Sequence, residues 1–140
     1  MQFRRIGQLV AATTVSAVAL SGAQAVAQET KTTISVTNIT DIHGHLEDKI
    51  GDPAKAGDEI GVARLQTLIK QVNEGQEFNL TSSGDNVGGS AFVSAISDDK
   101  YTLEALNQMG MKVSAVGNHE FDKGTEDLTE RIQPNSTYPI

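Results

Sequence analysis

The sequence predicts an α/β fold in which short parallel strands alternate with helices. Three segments rich in β-branched residues are each followed directly by a cluster of polar residues and glycine, and helical patterns separate these segments. Strands that are joined through helices pair in parallel, and the ligands of such open sheets collect at the carboxyl ends of the strands. The three polar clusters are therefore expected to converge at one edge of the sheet.

The strand segments are short, and the first shows the alternation of a half-buried strand. Ile34 and Val36 are separated by a polar residue, so they point to one face while their neighbours point to the other. Each segment ends where its polar cluster begins. The predicted strands are residues 32–39, 78–82 and 113–116, and the clusters that follow them are residues 41–45, 84–86 and 117–120.

Helices are predicted between and after these strands. The first carries apolar residues at three- and four-residue spacing, which places them on one face. A second helix is predicted over residues 99–109, with Gly110 as its stop signal. A short third helix follows Gly124 and ends before Pro134. The inward face of the first helix consists of Val62, Leu65, Leu68, Ile69 and Val72, and that of the second of Leu103, Leu106 and Met109.

Residues 1–27 have the pattern of a secretory signal peptide. Arg4 and Arg5 precede an apolar run, and small residues stand near Ala27. A transmembrane anchor is the alternative, but the run is shorter than the roughly 20 residues that span a bilayer. We therefore expect export to the periplasm or the exterior, with the cell wall as a further location, and no membrane span after cleavage. Residues 28–140 remain as the folded part.

The charge and the cysteine count exclude several classes of function. The formal net charge is -7, and no basic cluster is present that could neutralise a run of phosphates. A nucleic acid polymer is therefore not expected as a partner. Because the chain has no cysteine, it can form neither a disulfide framework nor a thiolate zinc site. Carboxylates gathered around cations remain as one explanation of the acidity.

Two of the polar clusters carry residues that suit a metal ion. Asp41 and His43 stand two positions apart where the first strand opens into a loop, and a carboxylate with an imidazole suits zinc, manganese or iron. Asp85 follows Gly84 at the end of the second strand, where glycine permits a sharp turn. Taken singly, each has an ordinary alternative, since Asp also caps turns and Gly-Asp is common in β-turns.

The third cluster carries residues that suit proton transfer. Asn118 offers a neutral oxygen, and His119 can donate a proton or stabilise a developing oxyanion. Asp122, three residues later, is within range to orient the imidazole. The alternative is a helix-entry turn with Asn118 as its cap.

The three clusters together resemble the calcineurin-like metallophosphoesterases. Residues 39–47, 83–86 and 117–122 carry the resemblance, and the last of these is similar to the secreted bacterial 5'-nucleotidases in particular. The resemblance covers residues 32–140 and implies a partial metallophosphoesterase domain, a truncated αββα-type sandwich. It implies hydrolysis of phosphate monoesters, above all 5'-nucleotides, by a water that two divalent ions such as Zn or Mn activate.

The resemblance also implies a role for each residue. Asp41 and His43 would bind the first ion, Asp85 would bridge both, and Asn118 would bind the second. His119 would be the catalytic histidine above the phosphate. Asp122 would be its partner, and His45 is taken as a loop residue.

The sequence departs from the family in its histidines. The family completes its metal centre with downstream histidines, and none follows His119 within the 140 residues. We therefore expect an amino-terminal fragment that is inactive alone. The alternatives are a 2',3'-cyclic-nucleotide phosphodiesterase or UDP-sugar hydrolase of the same family, and a non-catalytic metal-binding remnant.

Overall fold

Three parallel strands form the central sheet. In this computed structural model the described part of the chain is residues 31–140, so the predicted signal peptide lies outside it. The strands are β1 (Val36–Ile39), β2 (Asn79–Ser82) and β3 (Val113–Ser114), and β2 lies between the other two. The predicted α/β class with parallel strands is confirmed.

The outer strands are shorter than predicted because both pair with β2, which has only four residues. All four residues of β2 pair with β1, with Val36 opposite Asn79, and the last two pair with β3. Residues 32–35 and 115–116 therefore lie outside the ladder, although the prediction placed them in strands. One further contact lies beside β3, where the Ser114 N–H donates to the Pro139 carbonyl at 3.0 Å.

Four α-helices accompany the sheet in the described chain. The predicted stop of the second long helix is confirmed, since Gly110 adopts the left-handed conformation that ends helices, with φ 78°. The predicted end before Pro134 is confirmed, since the helical segment that follows Gly124 ends at Ile132. Pro134 lies in the 3₁₀ turn that follows, where its missing N–H needs no acceptor. The helices are α1 (Gly61–Val72), α2 (Phe92–Ala95), α3 (Lys100–Met109) and α4 (Thr125–Asp127), the last continuing into a π-turn (Leu128–Ile132) and a 3₁₀ turn (Gln133–Asn135).

Two hydrophobic clusters hold these elements together, and α3 contributes to both. Leu106 is fully buried among residues of the sheet, and Leu103 is buried in the second cluster beside Val87. Burying one such side chain stabilises a fold by about 1.5–3 kcal/mol. The first cluster consists of Ile39, Ile69, Leu80, Leu106, Met111 and Tyr138, and the second of Val87, Leu103, Leu128 and Ile132.

The predicted inward face of α1 is only partly buried. Ile69 is buried, but Leu68 is 48% exposed and Val72 is 75% exposed, so the prediction is wrong for these two. The helix lies near β1, an edge strand, where the Asn73 amide donates to the Thr37 hydroxyl at 2.8 Å. The sheet is too narrow to cover the whole apolar face of the helix.

The loop before α1, residues 47–59, is largely exposed. A single bridge between Lys49 and Glu59 pairs its two ends. Within residues 31–140, none of the helices has the length and the apolar character that crossing a membrane requires.

Candidate metal centre

The loops that follow the three strands come together through backbone hydrogen bonds. The Asp41 N–H donates to the Gly84 carbonyl at 3.1 Å, and the His43 N–H donates to the Asp85 carbonyl at 3.1 Å. The third loop joins them because the His119 N–H donates to the Asp85 carboxylate at 2.9 Å. The convergence expected from the strand order is thus present, and Asp85 lies at its centre.

Asp41, His43 and Asp85 form a cluster with the geometry of a cation site. One ligand atom from each can be chosen so that all three lie within 4.8 Å of one another. All three residues have positive φ, at 55°, 43° and 53°. Residues other than glycine rarely adopt this backbone conformation, and those that do are often found at functional sites. The backbone therefore accepts an unfavourable conformation in order to direct these three side chains to one place.

The orientation of His43 leaves one ring nitrogen available to a cation. Its Nδ1 lies 2.8 Å from the Gly88 carbonyl, which can only accept, so Nδ1 carries the proton. In the neutral imidazole, Nε2 is then the nitrogen with the free lone pair, and it lies 3.7 Å from the Asp41 Oδ1. A carbonyl behind the ring is the usual way to fix the tautomer of a metal-binding histidine.

His119 and Asp122 form a hydrogen-bonded pair beside this cluster. Their Nδ1 and Oδ2 atoms lie 2.9 Å apart, and Asp122 also accepts the Gly89 N–H at 2.9 Å. The hydrogen bond that His119 Nδ1 donates to the Asp122 carboxylate raises the pKa of His119 and lowers that of Asp122. The His119 ring lies edge-on to that of His43, with centroids 4.8 Å apart. An imidazole whose pKa is raised by its carboxylate partner therefore stands next to the candidate cation site.

Asn118 occupies the N-cap position of the 3₁₀ turn His119–Phe121, as the ordinary alternative expects, but its side chain makes no capping hydrogen bond. Asn118 is exposed, next to the residue whose N–H binds Asp85. Its role as a ligand stays a prediction.

His45 takes part in a different interaction. Its Nδ1 lies 2.9 Å from the carboxylate of Glu59, which also pairs with Lys49 at 2.9 Å. It does not belong to the cluster of Asp41, His43 and Asp85. The assignment of His45 to the loop is in keeping with this contact.

The two basic side chains that line the pocket beside His119 each form a salt bridge with an aspartate. A pocket beside His119 and Asp122 is lined by Lys123 and Arg131. However, Lys123 binds Asp98 at 2.6 Å, and Arg131 donates to both oxygens of Asp127 at 2.6 Å. Counter-charge for a phosphate would therefore have to come from His119 or from bound ions.

Close backbone contact explains the glycines at the ends of β2 and β3. A Cβ on Gly84 would lie 2.3 Å from the Gly117 nitrogen, and a Cβ on Gly117 would lie 2.2 Å from the Asp85 Oδ1. Any other side chain would separate the two loops. These glycines therefore allow the three loops to meet.

Sequence reasoning assigned no role to Glu120, which is 3% exposed and lies beneath the site. Its carboxylate accepts backbone N–H groups from both loops, including Asp85 at 2.9 Å and Gly117 at 2.6 Å. The only available signal was its place in the motif after His119, since no spacing rule distinguishes an acid that binds backbone from one that faces solvent.

The chain is similar in sequence to a cell wall protein, an endonuclease and several 5'-nucleotidases. The chain matches no protein-family model. It is 31% identical to the cell wall protein Lmo0130 of Listeria monocytogenes, over 94% of this chain and 18% of that protein. It is 30% identical to the endonuclease YhcR of Bacillus subtilis, over 76% and 9%, and 32% identical to the 5'-nucleotidase of Rattus norvegicus, over 76% and 19%. The chain spans 55% of the first curated relative it matches and less than a fifth of these three.

Proposed function

The chain belongs to the 5'-nucleotidase family, and on this premise we propose that it carries part of a metal-dependent phosphoesterase site for nucleotides. The reaction would be hydrolysis of a phosphate monoester, with 5'-nucleotides giving nucleoside and phosphate. The observation that supports the proposal best is the meeting of Asp41, His43 and Asp85 within 4.8 Å. The second is the hydrogen-bonded pair of His119 and Asp122 beside them.

The donor set fits divalent ions of the zinc and manganese type. Two carboxylates and one neutral imidazole suit such ions, and no thiolate competes because the chain has no cysteine. Asp41 and His43 would bind one ion, Asp85 would bridge to a second, and Asn118 would bind that second ion. Held by these residues, divalent ions would supply an acidic water and a counter-charge for the phosphate.

The residues beside the metal ligands would transfer a proton and hold the two histidine rings in one tautomer. His119 would interact with the phosphate or protonate the leaving oxygen, and the raised pKa of its imidazole favours both roles. Asp122 would keep the proton on Nδ1, so that Nε2 faces the substrate. The Gly88 carbonyl would do the same for His43.

Small nucleotides are the favoured substrates, and 2',3'-cyclic nucleotides and nucleotide sugars are the alternatives within the same chemistry. Negative net charge without a basic cluster disfavours a nucleic acid polymer. One relative is named an endonuclease, however, so a single-stranded oligonucleotide belongs in any substrate panel. A metal-binding protein without catalysis is the alternative from another class, because no histidine follows His119 within the 140 residues.

Export is proposed from the pattern of residues 1–27. The relative that is named a cell wall protein supports an extracellular location. Mass spectrometry of protein from the culture medium would test this, and a mature amino terminus near residue 28 is expected. Retention of Met1 on protein found only in the cytoplasm would contradict it.

The experiment for the site is a titration of the 140-residue chain with Mn²⁺, followed by calorimetry. Saturable binding is expected for the wild type, and Asp85→Asn should lose it, since asparagine keeps the shape and tolerates positive φ but lacks the charge. Asp52→Asn, which makes the same chemical change in the exposed loop, is a matched control. Equal binding by wild type and Asp85→Asn would refute the site.

Phosphate release separates the enzyme from the non-catalytic alternative. We expect the 140 residues alone to hydrolyse AMP slowly or not at all with Mn²⁺, and a chain that also carries downstream histidine ligands to do so rapidly. Chelator should abolish the activity of the longer chain. Rapid turnover by the 140 residues would contradict the expectation, and binding without turnover by the longer chain would favour the alternative.

A further inference from the structure

The carboxylate of Glu120 accepts four backbone N–H groups in the interior of the protein. Its Oε2 accepts from Asp85 at 2.9 Å and from Gly117 at 2.6 Å. Its Oε1 accepts from Asn86 at 2.8 Å and from Val87 at 3.4 Å. Both oxygens are thus used twice. No other carboxylate among residues 31–140 accepts hydrogen bonds from as many backbone N–H groups.

We propose that Glu120 is a positioning residue that sets the direction of the Asp85 side chain and thereby the affinity of the metal site. This inference rests on the proposed function, in which Asp85 bridges two ions. The argument starts from the backbone of residues 85–87, whose successive N–H groups surround one anion. Such a concave group of amides, called a nest, forms when one of its residues is left-handed.

Asp85 is that left-handed residue, with φ 53°. A residue with a Cβ disfavours this conformation, so something must hold it there. Glu120 supplies that restraint, because three consecutive N–H groups can point to one carboxylate only while Asp85 keeps positive φ. The same conformation directs the Asp85 carboxylate toward Asp41 and His43.

Glu120 also joins the third loop to the second. Its Oε2 accepts from both Asp85 and Gly117, so one atom lies between the loops that follow β2 and β3. This keeps the His119 N–H within 2.9 Å of the Asp85 Oδ1. Loss of the Glu120 carboxylate would therefore remove the restraint on the Asp85 backbone. It would also allow the His119 N–H, which donates to the Asp85 side chain, to move away.

Neither conservative replacement can do the work of Glu120. A glutamine has one NH₂ group, which must face two N–H donors in either orientation, because each oxygen of Glu120 accepts two hydrogen bonds. An aspartate keeps the charge but is one methylene shorter and cannot reach all four donors. Both changes should release the nest while leaving the metal ligands in the chain.

The test compares metal affinity at matched stability in the full chain. Mn²⁺ binding is measured by calorimetry for the wild type, Glu120→Gln, Glu120→Asp and Leu106→Ala, each below its own melting temperature. Leu106 is fully buried in the first cluster, so its replacement lowers stability without touching the nest. We expect both Glu120 variants to bind Mn²⁺ about 10–100-fold more weakly, as for other residues that orient ligands. Leu106→Ala should bind like the wild type.

The inference is overturned if either Glu120 variant binds within twofold of the wild type, or if Leu106→Ala weakens binding as much as they do. It is also overturned if both Glu120 variants are unfolded at every temperature, because Glu120 is then needed for folding in general. Asp85→Asn in the same series distinguishes the two proposals. If the wild type does not bind Mn²⁺, or if Asp85→Asn binds it equally well, the proposed metal site itself is refuted and not only the role of Glu120.

Discussion

Replacing Gly117 with alanine should displace Asp85, both its carboxylate and the loop that carries it. A Cβ at this position would lie 2.2 Å from the Asp85 Oδ1, 2.4 Å from its Cγ and 2.7 Å from its backbone nitrogen. The backbone of Gly117 is not in the left-handed region, so alanine costs nothing through φ. The clash with Asp85 is therefore the main consequence of the substitution.

The structure sets the size of the expected effect. Real Cβ contacts essentially never fall below 3.0 Å, so Asp85 or its loop must move by the difference from 2.2 Å, about 0.8 Å. Metal sites tolerate deviations of only about 0.2 Å in their ligand distances. Misplacement by about 1 Å can cost roughly 100-fold at a functional site, so we expect Mn²⁺ affinity to fall by about that factor. The free energy of unfolding should fall by about 1–3 kcal/mol, as for other overpacked positions.

Calorimetry with Mn²⁺ and thermal unfolding followed by circular dichroism would measure both quantities. Gly51→Ala is the matched control, because it makes the same chemical change in an exposed loop where the nearest atom lies 3.4 Å from the new Cβ. It should leave both quantities unchanged. The reasoning is wrong if folded Gly117→Ala binds Mn²⁺ as tightly as the wild type.

Three further predictions concern charge and packing. Asp122→Asn should lower the pKa of His119 toward its ordinary value, because the raised pKa depends first on the Asp122 hydrogen bond; NMR titration of the metal-free chain would show this, and an unchanged pKa would contradict it. Asp127→Asn should cost about 1 kcal/mol of stability at pH 7 through loss of the bidentate pair with Arg131. Because the pKa of Asp127 is lowered by that pair, its stabilising effect is present above the unfolded pKa and is lost as pH falls through the folded pKa. Acid unfolding curves of the two proteins should therefore converge at low pH, and a constant gap would contradict this. Leu106→Ala should lower the free energy of unfolding by about 2–5 kcal/mol, since the residue is fully buried; urea unfolding would measure it, and a loss below about 1 kcal/mol would contradict the assigned core.

The order of elements and the meeting of the three loops could be predicted because they depend on local pattern and on chain topology. The glycine stop at Gly110 is a signal carried within a few residues. The alternation at Ile34 and Val36 predicted a half-buried strand that begins before β1, but both residues are exposed. The burial of Leu68 and Val72 could not be predicted from periodicity. Periodicity indicates which residues share a face, but the width of the neighbouring sheet decides how much of that face is covered.

The order of residue types along the chain specifies which side chains stand at the strand ends, and so which chemistry is available there. Asp41, His43 and Asp85 could be predicted as neighbours because the strand ends of a parallel sheet lie on one edge. The directions of these side chains depend instead on the folded chain. Positive φ at Asp85, the carbonyl of Gly88 behind His43, and the four N–H groups on Glu120 all arise from contacts between segments distant along the chain. No local pattern encodes such contacts, because they exist only after the loops have packed together.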